Sequence, residues 1–183
     1  MSNVFFVADP HFGHAKLLKF ESETRPFETV AAHDDALIEH WNARVGKRDV
    51  VWLLGDVAWN PEAARAAIPR LQGRVRLLLG DHDQRWLSGA RELLDHFEMI
   101  GGCEAWKDGI VLSHHPLAFD GFKYTRCIHG HTHSHMIKDR AIDWADNRES
   151  EVEREHPDYA CVSLEQTGLK PIAWDELRQR KGW

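Results

Sequence analysis

Short, almost wholly apolar runs alternate along this chain with segments of helical periodicity. Val4–Ala8, Val50–Leu54, Val75–Leu79, Ile110–Leu112 and the weaker Arg126–Ile128 each lead into Gly, Asp or His. Such runs predict strands buried on both faces. Between Thr29 and Val45, the residues Val30, Leu37, Ile38, Trp41 and Val45 fall on one helical stripe ahead of Gly46. Asn60-Pro61 predicts a second helix start, Asn as cap and Pro in the first turn, with the Ala-rich stretch through Ile68 stopping at Pro69. A third helix is expected over Ser88–Phe97. Asp108-Gly109 sits between two apolar segments and predicts a hairpin turn. A late strand over Tyr159–Leu164 and a terminal helix over Asp175–Arg180 complete the pattern, with the charged stretch Asp146–Asp158 expected as a loop. No internal repeat or low-complexity segment interrupts it, and the alternation implies a layered α/β fold.

Composition narrows the function classes. With 183 residues, 43% of them hydrophobic and 10% aromatic, the chain is expected to form a single domain, residues 1–183, with a sizeable core. The formal charge of −6 argues against a purely electrostatic nucleic-acid or membrane binder. No apolar run approaches a membrane span, and Met1-Ser2-Asn3-Val4 lacks the flanks of a signal peptide, so a cytoplasmic protein without membrane partners is expected. Cys103, Cys127 and Cys161 are widely spaced, which disfavours a disulfide framework. The unusual figure is 13 histidines, because imidazole is the commonest metal ligand among side chains.

Those histidines and several acids cluster where strands end. The segments are Asp9-Pro10-His11, Gly55-Asp56, Gly80-Asp81-His82-Asp83, His114-His115-Pro116 and Gly130-His131-Thr132-His133. In open α/β sheets, sites form beyond the carboxyl ends of strands, so these groups can converge on one crevice. Extended backbone at Asp9/His11 and His131/His133 is expected to point each pair to one side. Oxygen and imidazole donors without thiolate suit Mn²⁺, Fe or Zn²⁺. So many donors exceed what one ion needs; two adjacent ions is the economical reading, an arrangement used to hydrolyse phosphate esters.

Taken in order, these motifs resemble the calcineurin-like metallophosphoesterase family over residues 9–133, and Phe12-Gly13-His14 with Arg25-Pro26-Phe27 resemble its compact bacterial and phage branch. The resemblance implies a four-layer αββα sandwich with two mixed β-sheets and a binuclear centre at their edge. It implies Asp9, His11 and His133 on one ion, Asp81, His114 and His131 on the other, and Asp56 bridging. His82 corresponds to the family's catalytic histidine, and Asp83 to the acid that orients it. The ions would be two divalent cations, Mn²⁺ first, with Fe, Zn²⁺ or Ni²⁺ as alternatives, and a metal-bridging hydroxide would attack phosphorus. The family ordinarily has Asn where this chain has Asp81, which adds a negative charge beside an anionic substrate and weakens phosphate binding.

Further residues carry paired readings. His14, His115, His129 and His135 are expected to support or flank the ligands, and His33, His40, His96 and His156 to be solvated. Arg25, Arg85, Lys123, Tyr124 and Arg126 either contact a substrate phosphate or base, or form a solvated surface. Trp59 and Trp86 either stack on a base or pack. The expected function is metal-dependent hydrolysis of a phosphate ester, with a diester, a nucleotide or a nucleic-acid end favoured slightly over a monoester. The competing class is a metal-binding interaction scaffold. His82 favours the enzyme, whereas Asp81 keeps the scaffold open.

Overall fold

The computed structural model describes residues 2–119, 123–145 and 148–183, and of 140–145 and 148–152 the backbone alone. In chain order they form β1 (Val4–Val7), α1 (Leu17–Phe20), α2 (Val30–Arg44), β2 (Val50–Leu53), α3 (Pro61–Ala67), β3 (Arg74–Leu78), α4 (Asp83–Leu87), β4 (Phe97–Gly101), β5 (Cys103–Ala105), β6 (Ile110–Ser113), β7 (Arg126–His129), β8 (Lys138–Ala145), β9 (Arg148–Glu155), β10 (Tyr159–Cys161), α5 (Leu164–Thr167), β11 (Ile172–Ala173) and α6 (Trp174–Lys181). The first sheet has the order β11-β1-β2-β3-β4, with β1 to β4 parallel and β11 antiparallel at one edge. The second has the order β10-β7-β6-β5, parallel except for β5. Both sheets of this α/β sandwich are therefore mixed.

The apolar runs are continuous because the first sheet is covered on both sides. Side chains alternate across it: Phe5, Val7, Val51, Leu53 and Leu77 meet Leu37, Ile38 and Trp41 of α2 and Ala64 and Ala67 of α3. Phe6, Trp52, Leu54 and Leu78 point the other way, against Ile110, Leu112, Ile128 and Ala160 of the second sheet, with Trp174 and Leu177 of α6 joining that core. Helix starts follow the expected chemistry. Thr29 accepts a hydrogen bond from the Ala32 amide, and Asn60 accepts one from Ala63.

Several sequence expectations need correction. The third helix begins at Asp83 and ends at Leu87; beyond it Gly89 lies so close to Pro61 that a Cβ there would sit 2.7 Å from the proline ring, and a 3₁₀ turn, Arg91–His96, follows. Phe97–Gly101 is an edge strand whose side chains are alternately half-buried and exposed, too weak a pattern to stand out. From Arg148 the charged stretch is strand and not loop: β9 pairs with β8 from Lys138↔Glu155 to Ala145↔Arg148, and its start at Asp146 lies outside the described residues. Backbone pairing builds that hairpin with few apolar residues to announce it. The far face of the second sheet carries no helix among the described residues. There the Tyr159 hydroxyl donates to the Leu117 carbonyl and Phe119 packs 5.7 Å from the Tyr159 ring. The layers described are thus α, β and β. Among the described residues no helix is long and apolar enough to cross a membrane.

Candidate metal centre

The carboxyl ends of β1, β2, β3, β6 and β7 meet at one edge of the sandwich, and the parallel registers bring their following residues together. Asp9 and His11 follow β1, Asp56 follows β2, Asp81 and His82 follow β3, His114 follows β6, and His131 and His133 follow β7. Extended backbone is not what aims them. Asp9, His11, Asp56, His131 and His133 all have positive φ, between 49° and 68°, a left-handed conformation uncommon and costly for side-chain-bearing residues. Tight turns at consecutive strand ends thus orient the ligands, held by amide bonds such as Asp9 to the Gly55 carbonyl and His11 to the Asp56 carbonyl. Glycine makes the convergence sterically feasible. A Cβ on Gly55 would lie 2.5 Å from the Gly80 nitrogen, and one on Gly130 would lie 2.5 Å from the Ala8 Cβ.

Inside this edge lie ligand atoms that nothing among the described residues satisfies. Asp9 Oδ2 accepts from the Ser163 hydroxyl at 2.6 Å and the His131 amide at 2.9 Å, while Asp9 Oδ1 has no partner. His114 Nδ1 donates to the Leu54 carbonyl, so its Nε2 points free toward Asp56 Oδ2 at 3.6 Å. His11 Nε2, equally orphaned, lies 3.5 Å from the same oxygen and 4.0 Å from Asp9 Oδ1. Each unsatisfied buried donor or acceptor costs about 1–3 kcal/mol. Separations of this size, too long for hydrogen bonds, approach the roughly 3.4 Å spacing of ligands around a tetrahedral ion with bonds of about 2.1 Å. The chemistry and spacing of these groups fit divalent cations.

Donors fall within one another's reach in overlapping groups: Asp9, His11 and His133; Asp9, Asp56 and His114; and Asp81, His114, His115 and His131. All seven residues expected as ligands are brought together. Asp56 is central, its Oδ2 facing His11, His114 and, at 3.9 Å, His82 Nε2, while its Oδ1 accepts from the His82 amide. His82 is one-third exposed at 34%, placed between this interior and solvent.

A supporting network was not evident in the sequence. His133 Nδ1 donates to Glu165 Oε1 at 2.9 Å, which frees Nε2 for a cation, a carboxylate–histidine arrangement common behind metal ligands. Glu165 also takes Arg25 Nε at 2.7 Å. Arg25 itself is fully buried, donating to the carbonyls of Asp9 and Pro10 and to His33. Arg25 therefore braces the first ligand turn and has no face for substrate. His33, expected in solvent, is buried between Arg25 and Asp34. Ser163 and Glu165 lie far from the motifs in sequence; the pairing of β10 with β7 and backbone hydrogen bonds of Val162 and Leu164 to Ala8 at the end of β1 bring them in.

Asp83 needs a similar correction. Its buried carboxylate accepts from the amides of Asp56, Val57 and Gly80 and from the Trp86 indole. It clamps two ligand turns together and makes no bond to the His82 ring. Trp86 is wholly buried, and Trp59 is stacked on His14 at 3.6 Å with the Arg85 guanidinium 4.1 Å from its ring, so neither indole is free for a base. Arg85 stays exposed on that stack beside His82. Lys123, Tyr124 and Arg126 lie at the wrong end. Thr125 bonds the Gly109 carbonyl just before β6 and Arg126 begins β7, so all three belong to the amino ends of strands whose carboxyl ends carry the site.

Burial sets the electrostatics. It pushes the Asp9 carboxyl up to about 6 and His11 well below its ordinary range, with the neighbouring His133 and the Arg25 guanidinium adding to the latter. Burial also lowers His129, on the far face of β7, to about 4 from 6.5, against a bond from its Nδ1 to the Gly130 carbonyl. A histidine depressed in the fold contributes stability above its unfolded value, and this is lost as pH falls through the folded one. His129 should therefore cost on the order of 3 kcal/mol between pH 6.5 and 4. Urea unfolding of His129→Gln should show a loss over that window smaller by this amount; an equal loss would refute the assignment.

No protein-family model matches the chain. Its fold is shared by the protein of unknown function AQ665 from Aquifex aeolicus, with a TM-score of 0.70 at 20% identity, over 98% of this chain and 100% of that one. An uncharacterized protein of Methanocaldococcus jannaschii, MJ1445, is 28% identical over 173 residues, 90% of this chain and 89% of that protein. The Gene 66 protein of Mycobacterium phage L5 is 31% identical over 174 residues, covering 78% of this chain and 83% of its own length. That of Mycobacterium phage D29 is 33% identical over 170 residues, covering 75% and 82%. The chain belongs to the family of these mycobacteriophage Gene 66 proteins.

Proposed function

We propose that this protein is a metallophosphoesterase-type hydrolase that uses two divalent cations to cleave a phosphate ester, with phosphodiesters preferred over monoesters. The observation that carries the reading is the set of orphaned, buried ligand atoms, Asp9 Oδ1, His11 Nε2 and His114 Nε2, gathered around Asp56 Oδ2. The two mixed sheets with ligands at their carboxyl ends support a metallophosphoesterase-like sandwich. Asp9, His11, His133 and Asp56 would hold one ion, and Asp56, His114, His131 and Asp81 the other. Bound there, such ions neutralise phosphate oxygens and make water a stronger nucleophile.

The chain's own residues supply the rest. Hydrolysis forms a bond from a water oxygen to phosphorus and breaks the bond to the leaving oxygen, which needs a proton. His82 Nε2, near Asp56 yet open to solvent, is placed to deliver it. Asp81 and His131 are 46% and 42% exposed, so a diester with groups on both sides meets no enclosing wall from them. Arg85, on the Trp59 stack beside His82, offers a cation to a neighbouring phosphate of a nucleotide or nucleic-acid end. Three free cysteines suit a cytoplasmic setting.

The test is hydrolysis of bis-p-nitrophenyl phosphate beside p-nitrophenyl phosphate by chelator-stripped protein, with Mn²⁺ added back. Metal-restored turnover with the diester faster is the expected result. Two bound ions without turnover would overturn the enzymatic reading in favour of a metal-binding scaffold. His82→Ala should lower turnover by about 10²- to 10⁴-fold while the metal-binding isotherm stays unchanged.

A further inference from the structure

His114 and His115 are consecutive; the His114 ring is buried and anchored inward through Nδ1 to the Leu54 carbonyl, whereas the His115 ring is exposed. The His115 ring lies 4.1 Å from that of His131 and 5.0 Å from that of His114. Its Nε2 is 3.2 Å from Asp81 Oδ1, while His131 Nδ1 is 3.6 Å from Asp81 Oδ2. One carboxylate is thus spread between two imidazoles, with the His114 ring on the same cluster, and the four residues present one donor atom each within 4.8 Å of one another. An exposed His–Asp pair alone is worth at most about 1 kcal/mol and gives no reason to gather three imidazoles. A cation shared by all four does.

We propose that His115 is a further ligand of the outer ion, making that position a three-imidazole site, with Asp81 as its own carboxylate beside the shared Asp56, selective for Zn²⁺ over Mn²⁺. This rests on the two-ion reading above. The inner position sets the carboxylates of Asp9 and the shared Asp56 beside two imidazoles, His11 and His133, against three imidazoles at the outer one, and so has the higher proportion of oxygen donors. Imidazole favours zinc and its neighbours late in the first-row series, whereas carboxylate tolerates manganese. The two positions are therefore chemically unequal. Asp81, whose charge disfavours an anionic substrate, gains a role as the one carboxylate that the outer position does not share with the inner one.

The test is calorimetric titration of the chelator-stripped full chain with Zn²⁺ and, separately, Mn²⁺, for wild type and His115→Ala. His115 is 49% exposed, so its truncation leaves the core intact. Expected are two Zn²⁺ steps in wild type, with the outer step weakened on the order of 100-fold by the substitution, the inner step retained, and Mn²⁺ affinity changed by less than about tenfold. His115→Asp, which keeps a donor but replaces nitrogen with oxygen, should recover two-ion binding with the preference moved toward Mn²⁺. Co²⁺ titration reads the same change spectroscopically, as altered visible absorption of the outer ion. Two Zn²⁺ ions bound equally by wild type and His115→Ala would overturn the role of His115 alone. No two-ion binding by wild type would overturn the metal-centre reading beneath it.

Discussion

Asp56→Asn is expected to reduce metal uptake from two ions to one at most, and to lower metal-supported diester hydrolysis on the order of a thousandfold. The reason lies in how its two oxygens divide their work. Oδ1 accepts from the His82 amide at 2.8 Å, a bond that Asn retains, so the turn after β2 should persist. Oδ2 lies 3.5, 3.6 and 3.9 Å from the ring nitrogens of His11, His114 and His82. An amide NH₂ there supplies neither the negative charge nor the lone pairs that two cations would share. Calorimetric stoichiometry, with circular dichroism to check the fold, separates loss of the centre from loss of structure. Unchanged two-ion binding would remove Asp56 from the centre.

Glu165→Gln should destabilise the protein by about 3–5 kcal/mol, because it leaves the Arg25 guanidinium buried without its counter-ion. Both side chains are fully buried in this pair. Burial opposes the Glu165 charge, but the bond from His133 and the Arg25 guanidinium outweigh it and hold the carboxyl at about 2, against 4.5 ordinarily. A depressed carboxylate contributes stability that is complete above its unfolded value and lost as pH falls through its folded one. Wild type should therefore weaken between pH 4.5 and 2 through this group, and the Gln variant should lack that share. Denaturant unfolding at neutral and acid pH tests both statements. The same substitution loosens His133 and should weaken binding of the inner ion about 10- to 100-fold. Equal stability at neutral pH would show that the ion pair is dispensable.

Much of the fold was legible because it depends on local pattern. Continuous apolar runs such as Val50–Leu54 marked strands covered on both faces, and Thr29 and Asn60 marked helix starts. Where the signal is weak, pattern failed: β4 is only half-buried, and β9 is charged along its length and defined by its pairing with β8. Among the described residues, no helix covers the far face of the second sheet, where the family resemblance implies a fourth layer.

The candidate site divides in the same way. Residue type and position at strand ends were enough to nominate Asp9, His11, Asp56, Asp81, His114, His131 and His133, since short turns after parallel strands must emerge at a common edge. The sequence determined by itself which donors exist and on which strand each one rides. Tertiary structure decided what surrounds them. It buried Arg25 as a brace and set Asp83 as a clamp on two turns. It carried Lys123 and Arg126 to the opposite end of the sheet, and it brought Glu165 to His133 and His115 to Asp81. The left-handed turns that aim the ligands also became visible only there. The physical reason is range: periodicity and capping act over a few residues, whereas orientation, burial and pairing depend on strand register between segments that the sequence does not order in space.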